Sequence, residues 1–219
     1  MNSQALNAEG VRLYQLGNYQ QAAAEFERAI ATDPKSGTGY YNLAAALHKT
    51  GKLAGNQQQL AQAERLYNQC LEYDPNNAEC YRGLAVLLAE TGRKDAAFRL
   101  LEGWAGRSPQ LADPRIELAR LLEESSKPDQ ATARLVEALA IDPHNARALS
   151  ALGRLREASG DRAQALANYQ RSLAINRFQP EVEARVAALQ AAGAGAPASP
   201  LVMPQGGTRT AEQWQSTRY

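Results

Sequence analysis

The chain has 219 residues, 44% hydrophobic and 21% charged, with 24 Lys and Arg against 23 Asp and Glu for a net charge of +1. This is a globular composition with material for a core, and its interspersed charges exclude the clustered basic face that nucleic acid or an anionic membrane surface selects. No apolar run approaches the roughly 20 residues that insert across a bilayer, and Met1 to Gly10 lacks the regions of a secretory signal; the default expectation is cytoplasmic, or envelope or periplasmic if a signal has been removed.

The first segment carries Leu6, Gly10 and Leu13 at helical spacing, turns at Gly17, and resumes the helical period with Ala22, Phe26, Ala29 and Ile30. Asp33-Pro34 ends it, because proline disfavours helix in the residue before it. The small Gly10 and Ala22 let two helices approach, and Leu13 and Phe26 fill the space beside them. The unit then returns. Its turn position recurs at Gly51, Gly92, Ser126 and Gly160, giving spacings of 34, 41, 34 and 34 residues, and its closing proline recurs at Pro75, Pro109 and Pro143. A fixed period in this range predicts a solenoid.

The later units repeat the pattern in order. The second has Tyr40, Leu43, Ala44 and Leu47, then Ala63, Tyr67, Cys70, Leu71 and Asp74-Pro75; the third has Tyr81, Leu84, Ala85, Leu88, Ala97 and Leu101. The fourth has Leu118, Ala119, Leu122, Ala131, Leu135, Ala138 and Asp142-Pro143, and the fifth Leu149, Leu152, Gly153, Ala165 and Tyr169. Period, turn glycine, small-x3-large spacing and closing Asp-Pro together resemble the tetratricopeptide repeat family. The resemblance implies an all-α fold, a right-handed α-solenoid of about five helix-turn-helix repeats over residues 3–36, 37–77, 78–111, 112–145 and 146–179. A capping helix follows at 180–192, with Val182, Val186 and Leu189 turned to the last repeat. Solenoids need such a cap.

The departures from the pattern are specific. The second repeat is seven residues longer than the 34-residue period, the extra residues falling near Leu53 to Gln59, with Gly55-Asn56 as a turn and Asn56 with Gln59 as a capping box that starts the next helix early. They read as a surface insertion or as a contact element at the repeat edge. Trp104 stands where the other repeats have Ala29, Cys70, Ala138 and Ser172, flanked by Gly103 and Gly106, and predicts a local change of inter-repeat angle. Glu9, Arg115 and Arg156 replace expected apolar residues; the stem of Arg115 can cover apolar surface while its guanidinium reaches water. Cys70 and Cys80 match neither CxxC redox chemistry nor a zinc framework. They read as two buried thiols. Late in one helix and early in the next, they are also placed where a disulfide is geometrically conceivable, which an oxidising compartment would make relevant. Residues 193–219 turn to Gly, Ala, Pro, Ser, Gln and Thr and predict a disordered tail.

Catalysis finds no constellation. His48 and His144 are the only histidines and lie in different repeats, the turn glycines are isolated rather than grouped in a phosphate loop, and no cofactor or metal is called for. The expectation is a non-enzymatic adaptor or assembly scaffold that binds a protein or peptide partner. What the resemblance implies is that the first helices of the repeats line a concave groove, formed here by Asn7, Val11, Tyr14, Tyr41, Asn42, His48, Arg82 and Val86. Asp113, Glu117, Arg120, Glu123, Glu124, Arg147, Arg154 and Glu157 continue it as a charge-rich, solvated face. The family's chaperone-binding clamp is not matched, since Asn42 fits one position while Asn7, Val11, Glu79 and Gly83 occupy others. The alternative is a self-assembling structural scaffold, with the groove or tail binding another copy; a tail–groove contact through Trp214 or Tyr219 is a related expectation.

Overall fold

The computed structural model describes residues 2–194, so the expected disordered tail lies outside the described residues except for its first two positions. Five helical hairpins follow one another: α1 (Ser3–Gln15) with α2 (Tyr19–Thr32), α3 (Gly37–Ala54) with α4 (Gln57–Tyr73), α5 (Ala78–Glu90) with α6 (Lys94–Arg107), α7 (Asp113–Glu124) with α8 (Pro128–Ile141), and α9 (Ala146–Ala158) with α10 (Arg162–Ile175). A last helix, α11 (Pro180–Ala194), packs on α10, and no strand occurs among the described residues. Each helix touches its hairpin partner and the next hairpin, and α1, α3, α5 and α7 also touch in succession to form an inner layer. The fold is the expected all-α solenoid.

Local chemistry explains the joints. Asn2, Ser36, Asn56, Asn77, Asn145 and Asp161 cap their helices by accepting hydrogen bonds from first-turn N–H groups. The hairpin turns adopt left-handed backbone at Gly17, Gly55, Gly92 and Gly160, and at Ser126, whose φ is +58°. Only glycine takes that conformation without a steric penalty, on the order of 1 kcal/mol for other residues. Ser126→Gly is therefore expected to raise the unfolding free energy by about 0.5–1 kcal/mol, measurable by urea denaturation; an unchanged midpoint would remove the strain assigned to Ser126.

The turn of the second hairpin differs from the sequence reading. Gly51 is not its turn residue. Helix α3 runs through Gly51 to Ala54, and Gly55 makes the turn with φ +63°. Gly51 is buried where α3 and α4 approach, and a Cβ there would lie 3.1 Å from Gln59 and Leu60. The seven extra residues lengthen both helices, to 18 residues in α3 and 17 in α4 against 13 in α1 and 14 in α2. Seven residues are about two helical turns, so one turn added to each partner keeps the hairpin in register. The early start of α4, capped by Asn56, is as expected.

The other departures are resolved by contacts. Trp104 is fully buried; its ring stacks on Tyr81 with centroids 4.1 Å apart, and its Nε1 donates to Asn76 Oδ1 at 3.2 Å. Ser108 Oγ donates to the same oxygen at 2.7 Å, and Arg107 donates to the Tyr81 hydroxyl. Helix α6 continues through Gly103 and Gly106. Arg115 donates to the Leu111 carbonyl at 3.0 Å and faces Glu137 across to α8. Cys70 of α4 and Cys80 of α5 are buried and joined as a disulfide, so the reading as two free thiols is replaced by the bridged one. Val182, Val186 and Leu189 of α11 are half-buried while Glu181, Glu183 and Arg185 are exposed, the division expected of a cap.

Candidate functional site: a groove along the inner helices

Two contiguous cavities of 310 and 290 Å³ open on the inner layer and share Tyr14, Tyr41 and Ala45. The first, between α1 and α3, is walled by Val11, Tyr14, the Phe26 ring, Tyr41 and Asn42. Phe26 reaches it because Gly10 has no side chain; a Cβ there would lie 2.4 Å from the ring. The second, between α3 and α5, is walled by Tyr67, His48, Arg82, Gly83, Val86 and Glu90. The same device recurs there. A Cβ at Gly83 would lie 2.5 Å from Tyr67, so glycine on α5 admits a ring from α4 to the groove wall.

Seven of the eight residues expected from sequence line these cavities: Val11, Tyr14, Tyr41 and Asn42 the first, Tyr14, Tyr41, His48, Arg82 and Val86 the second. The eighth, Asn7, lies behind them and accepts a hydrogen bond from Asn42 Nδ2 at 3.3 Å, joining α1 to α3. Val11 is the most open of the apolar residues, at 39% exposure. Burial raises the phenol pKa of Tyr14, Tyr41 and Tyr67, with neighbouring tyrosines and carboxylates adding to it, so the hydroxyls stay neutral donors.

Much of the polar wall is internally paired, while Lys49 and Glu79, which also line the second cavity, are exposed. The Tyr67 hydroxyl lies 3.5 Å from His48 Nδ1, His48 Nε2 lies 3.0 Å from Glu90 Oε2, and Lys52 donates to Glu90 Oε1 at 2.6 Å. Burial pushes the Glu90 carboxyl pKa up, and the hydrogen bonds from Lys52 and His48 outweigh it, leaving the net value below the ordinary range. Arg82 is committed too. Its Nε and Nη2 donate to Glu117 Oε1 at 2.9 and 2.7 Å.

Glu117 is the residue the sequence reading misplaced. Expected on a solvated face, it has 0% exposure and accepts from three arginines, with Arg147 Nη2 at 2.5 Å on Oε1 and Arg120 Nε at 3.2 Å on Oε2, besides Arg82. Burial alone would raise its pKa; the bond from Arg82 and the charges of Arg82, Arg147 and Arg120 outweigh this and hold it below the carboxylate range. Around it the charge-rich face is a ladder between successive inner helices, Arg147 with Asp113, Arg154 with Glu123 and Arg185 with Glu157.

A family model described as TPR repeat matches residues 10–51, and one described as Tetratricopeptide repeat matches residues 56–122 and 122–193. A curated relative, the TPR repeat-containing thioredoxin TTL4 of Arabidopsis thaliana, is 32% identical over 115 residues, covering 51% of this chain and 15% of that protein. The chain therefore spans a small part of the length of that relative. Among solved structures it is similar to TTC0263, a thermophilic TPR protein of Thermus thermophilus, with TM-score 0.64, 24% identity, and coverage of 86% of this chain and 99% of that one. It is also similar to pilF of Pseudomonas aeruginosa, with TM-score 0.56, 18% identity, and coverage of 88% and 84%. At these identities the likeness concerns the fold.

Proposed function

The chain belongs to the tetratricopeptide repeat family, and on that premise we propose that it is a non-catalytic adaptor or assembly scaffold that holds a peptide segment of a partner protein in the groove along α1, α3 and α5. The observation that carries this reading is the continuous groove itself, open, tyrosine-walled and crossing three repeats. Tyrosine supplies contact area at low entropic cost and keeps a polar tip for the partner's main chain. Val11, Tyr14, Tyr41 and Val86 provide apolar area, and the Asn7–Asn42 amide pair retains donors and acceptors for backbone groups.

The internal pairing narrows the partner. Arg82 is held by Glu117 and Lys52 by Glu90, so an acidic peptide gains little from them, and the remaining exposed charges of the wall, Lys49 and Glu79, are of opposite sign, so an aromatic or aliphatic segment of low net charge suits the groove better. Truncating a central aromatic of such a groove costs about 2 kcal/mol or more, a loss of roughly 30-fold in affinity. The test is affinity capture from source cells, with the wild-type chain beside Tyr41→Ala and Val11→Asp, both read by mass spectrometry. A protein retained by the wild type and lost by both variants is the expected result; equal retention by all three baits would overturn the assignment of the groove.

A further inference from the structure

The groove has a chemical match within the chain itself. Its walls suit an aromatic or aliphatic segment of low net charge, and the cavity between α1 and α3 has no charged residue in its lining. Residues 195–219 continue the chain beyond α11 and lie outside the described residues. Their charged side chains are Arg209, Glu212 and Arg218, and their aromatic ones Trp214 and Tyr219. The only other tryptophan, Trp104, is fully buried against Tyr81. The charges correspond as well. Among the described residues Lys49 and Glu79 are the exposed charges of the groove wall that form no ion pair, and Trp214 has Glu212 before it and Arg218 after it.

Reach separates the candidates within this segment. Helix α11 ends at Ala194, and the inner helices α9, α7 and α5 stand between it and α3. At 8–10 Å between packed helix axes, those four steps come to about 40 Å. The aliphatic stretch Leu201–Met203 follows Ala194 by about nine residues at most, roughly 30 Å of extended chain, and falls short. Trp214 follows by about 20 residues, roughly 66 Å, and arrives with slack.

We propose that residues 208–219 of the same chain occupy the groove between α1 and α3 through Trp214, and that a partner segment binds by displacing them. The inference rests on the reading of the groove as a peptide site. An indole packs by offset stacking or edge-on against other rings, and Tyr14, Phe26 and Tyr41 present theirs in the 310 Å³ cavity. Tethering makes the contact intramolecular, at an effective concentration on the order of 1 mM. A groove that takes the free segment at about 0.1 mM is then filled roughly ten to one by its own, and a partner meets a groove already occupied.

The test is fluorescence anisotropy of a labelled synthetic peptide of residues 208–219 titrated with the full chain, with circular dichroism checking the fold of each variant. The Trp214→Ala chain, whose own segment no longer competes, should bind the peptide, and the wild type should bind it at least about tenfold more weakly. Adding Tyr41→Ala or Val11→Asp to the Trp214→Ala chain should weaken the peptide roughly 30-fold or more; two groove variants guard against one that misfolds. Equal binding by wild type and Trp214→Ala, no binding by Trp214→Ala at about 1 mM, or binding indifferent to both groove substitutions would overturn the proposal. So would a wild-type chain whose light-scattering mass doubles with concentration while Trp214→Ala stays single, since the segment would then fill the groove of another copy. If the peptide fails while affinity capture still retains a protein through Tyr41 and Val11, this inference falls and the reading of the groove as a peptide site stands.

Discussion

Glu117→Ala should lower the unfolding free energy by about 3–5 kcal/mol, far more than any other single charge deletion on the inner layer. The carboxylate is fully buried and three guanidiniums converge on it from α5, α7 and α9. Removing it leaves three partly buried cations facing one another with no counter-charge at the centre. Glu123→Ala is the comparison, since its bond to Arg154 lies at the surface, where such pairs contribute about 0–1 kcal/mol. At roughly 3 °C per kcal/mol for a chain of this size, the two variants should separate by about 10 °C in melting temperature. The pH dependence follows from the direction of the shift. The folded pKa of Glu117 lies below its unfolded value of about 4.3, so its contribution is complete above that value and is lost as pH falls through the folded pKa. Glu117→Gln should therefore flatten the acid limb of the stability profile. An acid limb unchanged in Glu117→Gln, with a loss below about 1 kcal/mol for Glu117→Ala, would show that the three arginines are satisfied by water instead.

The solenoid was legible because each repeat states it locally. Phe26, Tyr67 and Tyr169 recur with their small partners at helical spacing, and Asp-Pro stops the helices where they stop in the structure. Gly51 misled for a physical reason. A glycine in turn register is expected to turn, but here the hairpin is longer and the same residue serves a close helix–helix contact, leaving the turn to Gly55. The groove was legible too, because the inner faces of short-period helices are fixed once the period is known. Glu117 was not, because two of its three partners lie about one repeat away in sequence. Arg82 precedes it by 35 residues and Arg147 follows by 30, while Asp113 and Arg147 are 34 apart. Opposite charges at one-repeat spacing on inner helices were the available signal, and reading each repeat by itself hides it. Arg82, expected to face a partner, lines the groove and is also held within the chain by Glu117. The disulfide had its own signal. Cys70 stands where two other repeats carry the buried Ala29 and Ala138, and Cys80 where the residues ten further on are the buried Gly39 and Ala148, so small buried positions at this spacing flank equivalent joints.

Replacing Cys70 and Cys80 together by alanine should cost about 2–4 kcal/mol, the loss expected when a bridge closing a loop of this size is removed from the unfolded chain. The bond spans a sequence separation of 10 and ties the end of α4 to the start of α5. Both cysteines are fully buried in the joint. The intervening loop is otherwise well anchored, with Tyr81 donating to the Pro75 carbonyl, Trp104 and Ser108 donating to Asn76, and Asn77 capping α5. The stabilisation therefore belongs to the unfolded chain, and the double variant should keep the wild-type fold by circular dichroism. Reductant should bring the wild type to the stability of the variant and leave the variant unaffected. Because each repeat contacts only its neighbours, the loss should appear as faster amide exchange in α4 and α5 with little change in α9 and α10. That pattern matters for the groove, since Tyr67 stands on α4 and Arg82 and Val86 on α5. Loosening this joint would weaken partner capture by the second cavity and leave the first, built on α1 and α3, unaffected. Exchange that rises uniformly along the chain would instead mean that the solenoid unfolds as one unit and that the bridge acts on the whole of it.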